Sequence, residues 1–138
     1  LEDLGLGMTG ITNKGLIHLK VMTKLKTLSL WGTNIGNAGL AQLKVLTMLE
    51  DLDLGYTPID NTGLIYLKAF TKLKKLNLVR TRITDSGLVH LKALIHLKRL
   101  SVSKETISLK GVQDLKKSLP QCKIERVMPP RFIPEEER

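Results

Sequence analysis

The sequence is poor in the side chains from which catalytic and metal sites are usually built. It has a single cysteine, Cys122, which rules out an internal disulfide framework and cannot by itself build a zinc site. The spacings of the three histidines, His18, His90 and His96, match no metal-binding pattern. No G-x-S-x-G, H-E-x-x-H or phosphate-binding glycine loop occurs. We therefore predict a protein that is not an enzyme and that needs no cofactor or metal.

Aromatic residues and long apolar runs are also scarce. Aromatics make up only 4% of the 138 residues, with one tryptophan, and leucine supplies most of the apolar bulk. No apolar run approaches the roughly 18 to 20 residues that a membrane span needs. A core made mainly of one aliphatic residue indicates an environment that is repeated along the chain. The length fits one domain.

The sequence contains five consecutive repeats of 24 residues with no insertion or deletion. They begin at Leu1, Leu25, Leu49, Leu73 and Leu97. They share the pattern L-x-x-L-x-L-x-x-T-x-I-x-x-x-G-L-x-x-L-K, from which the fifth repeat departs at Val102, Glu105 and Val112. The L-x-L pair alternates with a period of two, which predicts a short strand with one buried face. The leucines that follow the glycine are three apart, which predicts a short helix. Such a unit cannot cover its own apolar face, so it must stack on its neighbours.

A threonine follows each of the first four strands, as Thr9, Thr33, Thr57 and Thr81. At this position the chain must bend out of the sheet, and the backbone groups of a bend need hydrogen-bond partners. A threonine hydroxyl can supply such a partner locally. We therefore interpret this column as structural, in preference to catalytic.

These residues resemble the leucine-rich repeat family, in its bacterial 24-residue T-x-I-T-D-x-G-L form. The resemblance covers about residues 1–127. It implies an α/β fold, a right-handed solenoid that forms a segment of a curved horseshoe, with a parallel sheet on the concave face and short helices on the convex face. It also implies a protein that binds partners, usually other proteins, and rarely performs chemistry.

Geometry indicates which face is available to a partner. Stacked strands lie about 4.8 Å apart, whereas packed helices need roughly 8 to 10 Å, so the stack must curve with its strands inside. Outward-pointing strand residues then form the contact surface, and Val79 and Ser103 belong to this set. Trp31 is the most informative member, with Tyr56 expected within its reach on the next strand. The alternative is that Trp31 only covers the surface and contacts no partner. The predicted partner-binding residues are Trp31, Tyr56, Asp51, Asp53, Lys75, Asn77, Arg80 and Arg99.

The charge pattern leaves alternatives open. The net charge is +9, and a ladder of lysines is expected on the convex side, at Lys20, Lys44, Lys68, Lys92 and Lys116. We interpret the ladder as a solvated face, since it lacks the stacking aromatics of a nucleic-acid site; attraction to nucleic acid or an acidic membrane is the alternative. Asp51 and Asp53 on one side, with basic residues on the other, either orient a protein partner or are ordinary surface. A further alternative is a structural or substrate-recognition arm of a larger protein, for example a ligase or kinase assembly.

We expect the two ends of the chain to differ. Residues 1–127 form the predicted repeat domain, closed by a capping strand at about 121–127, and residues 128–138 form an extended or flexible tail. Cys122 is expected to be a buried thiol in the cap. Leu1 opens a full repeat with no cap before it and is not a methionine. We therefore expect missing repeats or a self-contact to cover this end. The compartment is undetermined, with a cytoplasmic location as the default.

Overall fold

The computed structural model describes residues 1–128, so the predicted tail lies outside the described residues except for Met128. Six short strands form one parallel sheet in which each strand pairs with the next along the chain. The strands are β1 Asp3–Gly5, β2 Thr27–Ser29, β3 Asp51–Asp53, β4 Lys75–Asn77, β5 Arg99–Ser103 and β6 Lys123–Val127. This is the α/β leucine-rich-repeat solenoid that the sequence predicts.

One helix follows each of the first five strands. Two of these helices are α-helical and three are 3-10, a tighter form that proteins use in short pieces. The α-helices are Asn37–Leu43 and Leu109–Ser118, and the 3-10 helices are Gly15–Val21, Gly63–Ala69 and Asp85–Leu91. The helices lie on the convex side, opposite the strands that line the concave face.

The core consists of leucine columns stacked in register. Leu28 pairs with Leu52 and Leu52 with Leu76 between adjacent strands, and all three side chains are buried. The helix leucines pack against them in the same cluster, as does Phe70. Because burying each leucine side chain stabilises the fold by roughly 1.5–3 kcal/mol, these columns supply most of the stability.

The threonine column has the structural role predicted for it. Each hydroxyl donates a hydrogen bond to the carbonyl oxygen three residues earlier, at 2.6 Å for Thr9 and 2.7 Å for Thr33, Thr57 and Thr81. The last three of these threonines are buried. The bonds therefore satisfy carbonyl groups that water cannot reach as the chain leaves the sheet.

The asparagine or aspartate at the thirteenth position of the first four repeats joins each of them to the next one. Asn61 Oδ1 accepts from the Thr84 amide at 2.9 Å, and Asn61 Nδ2 donates to the Thr84 hydroxyl at 2.7 Å. Asp85 makes the corresponding contacts with Ser108, whose amide lies 2.9 Å from Asp85 Oδ1. Asn13 and Asn37 also accept from the next repeat. We call this series the seam.

The recurring glycine makes room for the seam. A Cβ atom on Gly87 would overlap Asn61 Oδ1 and would lie 2.7 Å from its Cγ and 2.9 Å from Leu64 Cδ1. Gly39, Gly63 and Gly111 meet the preceding seam residue in the same way. The glycine column is therefore required by close approach between repeats.

The two ends of the described chain are built differently. At the end of the sheet, β6 pairs Ile124 with Leu100, and the free thiol of Cys122 is buried as predicted. Burial raises the pKa of that thiol, although nearby Lys116 acts in the opposite direction. At the other end, Leu1 is 75% exposed. The extent of the domain and the covering of this end remain predictions. No helix among residues 1–128 is long and apolar enough to cross a membrane.

Candidate protein-binding face

The concave sheet has two edges with different chemistry. Its amino edge is formed by the residues that begin each strand and those just before them. Its carboxyl edge lies where each strand ends and the chain bends away. A span of five residues from one edge to the other corresponds to about 17 Å at the rise of a strand. The predicted partner-binding residues are divided between these edges and the middle of the sheet.

The carboxyl edge is formed by residues in an unusual backbone conformation. Met8, Tyr56 and Arg80 have positive φ angles of 57°, 55° and 58°, and Gly32 at the same repeat position has 68°. This left-handed conformation is disfavoured for residues with a Cβ atom and costs of order 1–3 kcal/mol. The amides of Met8, Gly32 and Tyr56 donate to carbonyls of the next repeat at 2.8–2.9 Å, which helps to hold the conformation.

Trp31 and Tyr56 form an aromatic pair at this edge, as the sequence predicts. Their ring centroids are 5.0 Å apart and the ring planes are inclined by 57°. Trp31 is 36% exposed, so it is not part of the leucine core. The indole lies against Gly55, where an added Cβ would be 2.8 Å from Trp31 Cδ1. The glycine next to Trp31 therefore lets the ring lie along the sheet.

Arg80 continues this edge beyond the aromatic pair. Its guanidinium group makes an ion pair of 3.1 Å with Glu105. Its Nε atom is buried and has no hydrogen-bond acceptor among residues 1–128. Tyr56, Arg80, Arg82 and Glu105 line an open depression of about 640 Å³. A buried donor without an acceptor is uncommon in proteins; because this atom is covered by the protein, only the exposed part of the Arg80 side chain, 29% of its surface, can reach a ligand in the depression.

Asp53 and Asn77 are bonded within the sheet itself. Asp53 Oδ1 accepts from the Gly55 amide at 2.9 Å and from Asn77 Nδ2 at 3.0 Å. Asn77 Oδ1 accepts from the Val79 amide at 3.0 Å. These contacts give both side chains a structural role in addition to any contact with a partner. The sequence did not indicate this ladder, since its bonds depend on the register of two strands.

Asp51, Lys75 and Arg99 lie side by side at the starts of β3, β4 and β5. The register pairs Asp51 with Lys75 and Lys75 with Arg99, and both basic residues are exposed. A small depression of about 160 Å³ is lined by these three residues and Asp53. The predicted change from acidic to basic charge along the face is therefore present.

Val79 and Ser103 are not on the open surface, and the prediction that they point outward was wrong. Val79 is only 7% exposed and Ser103 3%. Val79 lies beyond the end of β4, whereas Ser103 is the last residue of β5 and pairs with Val127 of β6. There the Arg80 amide donates to the Ser103 hydroxyl at 2.7 Å, so this side chain serves the backbone of the bend. Trp31 occupies the same repeat position but remains exposed.

The other candidates from the sequence form no chemical site. The convex lysines Lys20, Lys44, Lys68, Lys92 and Lys116 are exposed. Tyr66, the aromatic residue closest to this ladder in sequence, is partly buried and packed against the core, so it offers little surface for stacking. Within residues 1–128, no group of three or more histidine, cysteine or acidic side chains could hold a metal ion.

A parallel sheet built from 24-residue strand–helix units, with a recurring leucine core, defines a solenoid repeat protein. The sequence pattern of the leucine-rich repeat family matches residues 21–43, 45–68 and 71–92, which together make up half of the chain. The chain belongs to the leucine-rich repeat family.

Two solved bacterial structures show the same fold. An internalin (inlF) from Listeria monocytogenes superimposes with a TM-score of 0.63 at 21% identity, covering 90% of this chain. A leucine-rich-repeat protein from Leptospira interrogans gives 0.61 at 20% identity, covering 91% of this chain. The chain spans only 40% and 37% of the lengths of these two proteins. No curated protein matches its sequence.

Proposed function

We propose that this chain is a non-catalytic module that binds another protein through its concave face, with Trp31, Tyr56 and Arg80 at the centre of the contact. Leucine-rich repeats are in general protein-interaction modules. The observation that supports these residues most is the partly exposed aromatic pair beside the Arg80 depression. Tryptophan, tyrosine and arginine are the residue types that most often dominate binding energy at interfaces.

The chemistry of the carboxyl edge indicates what a partner would supply there. An apolar or aromatic side chain of the partner would cover the Trp31 ring. An oxygen atom of the partner could accept from the exposed part of the Arg80 guanidinium, since this side chain is 29% exposed. Asp51, Lys75 and Arg99 would then orient the partner by charge. The contact of Tyr56 with Trp31 and the ion pair of Arg80 with Glu105 hold these side chains before binding, which reduces the entropy lost on association.

The experiment is a comparison of partner capture by three forms of the chain. Trp31→Ala removes the indole from the concave face, and Val89→Ala removes an exposed apolar side chain from the helical face as a matched control. We expect proteins captured by the original chain to be retained by Val89→Ala. Their affinity for Trp31→Ala should be at least about tenfold weaker, as for a central interface residue.

Stability measurements on the same variants separate binding from folding. Because Trp31 is exposed and pairs with one other ring, its removal should lower the free energy of unfolding by only about 1 kcal/mol. Equal capture by the original chain and Trp31→Ala would contradict the proposal. A Trp31→Ala variant that is largely unfolded would mean that the ring belongs to the core.

The second candidate is a recognition arm within a longer protein. It is favoured by the two solved structures, which are longer chains of which this chain spans about two fifths. In that case the same concave face would bind a substrate or partner, and another part of the protein would act on it. The sequence of the full-length gene product distinguishes the candidates, since the arm requires a catalytic or assembly domain in the same polypeptide.

A further inference from the structure

The amino edge of the sheet carries a concentration of positive charge over its last three strands. Six basic residues lie at or just before the starts of β4, β5 and β6, and we call them the basic edge: Lys72, Lys74, Lys75, Lys98, Arg99 and Lys123. The register places Lys75, Arg99 and Lys123 on three successive strands as direct neighbours. Lys74 and Lys98 are adjacent in the same way, because the Lys98 amide donates to the Lys74 carbonyl at 2.8 Å.

The protein neutralises little of this charge. Lys74 pairs with Glu50 at 2.9 Å, and Lys123 pairs with Glu125 at 3.3 Å. Among residues 1–128, no carboxylate lies within 4.0 Å of the other four basic groups. Like charges on directly neighbouring strand positions destabilise a sheet, and these strands are only about 4.8 Å apart. An anionic partner would attract these basic groups and offset the repulsion between them.

A depression at this edge provides space for such a partner. It has a volume of about 500 Å³ and is lined by four lysines and His96, with Glu50 as its one carboxylate. Glu50 already interacts with three of those lysines, and its pKa is lowered chiefly by the hydrogen bond with Lys74. The lining therefore has an excess of positive charge beside the exposed Lys75 and Arg99 of the concave face.

We propose that the basic edge binds an acidic segment of the protein partner, rich in aspartate or glutamate. This inference rests on the proposed function and names the chemistry of its partner. A peptide is favoured over nucleic acid because the aromatic pair, Trp31 and Tyr56, belongs to the opposite edge of the sheet. Among residues 1–128, His96 is the one aromatic ring that lines the depression, whereas proteins that bind single strands stack successive bases on several aromatic rings.

The test is a direct binding measurement with a defined probe. A fluorescein-labelled hexaglutamate peptide is titrated with the chain, and its anisotropy is followed at low and at physiological salt. The original chain should bind the peptide, more weakly at the higher salt because exposed charges are screened. The double variant Lys98→Glu/Arg99→Glu should bind at least about tenfold more weakly, because close charge pairs are replaced by repulsion.

A matched control separates the basic edge from the net charge. Lys68→Glu/Lys92→Glu makes the same change in net charge on the convex ladder and should weaken binding by less than about twofold, since distant surface charges are screened. Equal losses in the two double variants would overturn the inference, and so would absence of peptide binding by the original chain. Tighter binding of a hexathymidylate probe, lost in Lys98→Glu/Arg99→Glu, would also overturn it in favour of nucleic acid.

A failure of the acidic-segment proposal can be distinguished from a failure of the proposed protein-binding function. Trp31→Ala leaves the basic edge intact and should bind hexaglutamate as the original chain does. If hexaglutamate fails to bind while Trp31-dependent capture of a partner persists, only the acidic chemistry of the partner is wrong. If hexaglutamate binds at the basic edge and Trp31→Ala captures partners normally, the carboxyl edge is not the centre of the contact.

Discussion

Positions that keep the same residue in every repeat and positions that change have different roles in this molecule. The glycine at the fifteenth position recurs in all five repeats, and four of the five meet the seam residue of the preceding repeat. The seventh position, by contrast, is glycine, tryptophan, glycine, valine and serine in succession. The constant positions hold one repeat against the next. The changing positions are less constrained by stacking, and there we find the partly exposed aromatic pair.

The largest expected effect comes from breaking a constant position. Gly87→Ala places a methyl group against Asn61 and Leu64 in the seam, and such overpacking costs about 1–3 kcal/mol. In an ordinary helix interior, replacing glycine by alanine stabilises the protein by roughly 0.5–1 kcal/mol. A decrease in stability for Gly87→Ala would therefore support close packing between the repeats. Urea denaturation at neutral pH measures it.

Gly5→Ala is the control for this substitution, since nothing lies within 4 Å of the added Cβ. Its effect on the free energy of unfolding should stay within about 0.5 kcal/mol. If Gly87→Ala were as stable as Gly5→Ala, the constant glycine would not be explained by close packing.

A loss of comparable size is expected from the threonine column. Thr57→Val keeps the shape of the side chain but removes the hydroxyl that donates to the Leu54 carbonyl at 2.7 Å. Leaving a buried acceptor without its partner costs about 1–3 kcal/mol. Thr9→Val removes the matching bond at an exposed site, where water can replace it. Thermal unfolding of both variants should show the larger decrease for Thr57→Val, and equal decreases would contradict a role that depends on burial.

The smallest effect at neutral pH is expected at Asp85. Hydrogen bonds from the Ser108 hydroxyl and amide, in that order of importance, lower the pKa of this carboxyl below its usual 3.8. A lowered folded-state pKa contributes stability that is present above the unfolded pKa and is lost as the pH falls through the folded pKa. Asp85→Asn copies the asparagine of the preceding repeats, so at pH 7 it should lose only the small contribution of the charged carboxylate.

The pH dependence of stability provides the measurement for Asp85. As the pH falls below about 4, the original chain should lose stability more steeply than Asp85→Asn, because the variant has no carboxyl to protonate at position 85. Denaturant titrations at several acidic pH values compare the two. Identical slopes would show that the Asp85–Ser108 contact does not favour the charged carboxylate.

The repeated pattern was enough to predict the fold and the position of the aromatic pair. A strict period of 24 residues fixes which leucines stack, so Trp31 and Tyr56 could be placed from the sequence. The seam could not be predicted, because its partners are about one repeat apart and meet only when the stack forms. The left-handed conformation of Met8, Tyr56 and Arg80 could not be predicted either, because these three residue types share no backbone preference for it.

The burial of Val79 and Ser103 was missed for a related reason. A strict alternation assigns each strand residue to one face, but Val79 lies past the end of β4 and Ser103 is the last residue of β5. The ladder between Asp53 and Asn77 likewise depends on the contact between two strands. Local alternation predicts the direction of a side chain in a straight strand, and it fails where the strand ends.

The fluorescence of Trp31 tests most directly whether this ring lies on the concave face, because it is the only tryptophan in the chain. We expect fluorescence emission typical of a partly exposed indole, and acrylamide should quench it in the folded protein. Adding a bound partner should reduce that quenching. Blue-shifted emission that resists acrylamide in the isolated folded chain would place the indole inside the core and contradict the account.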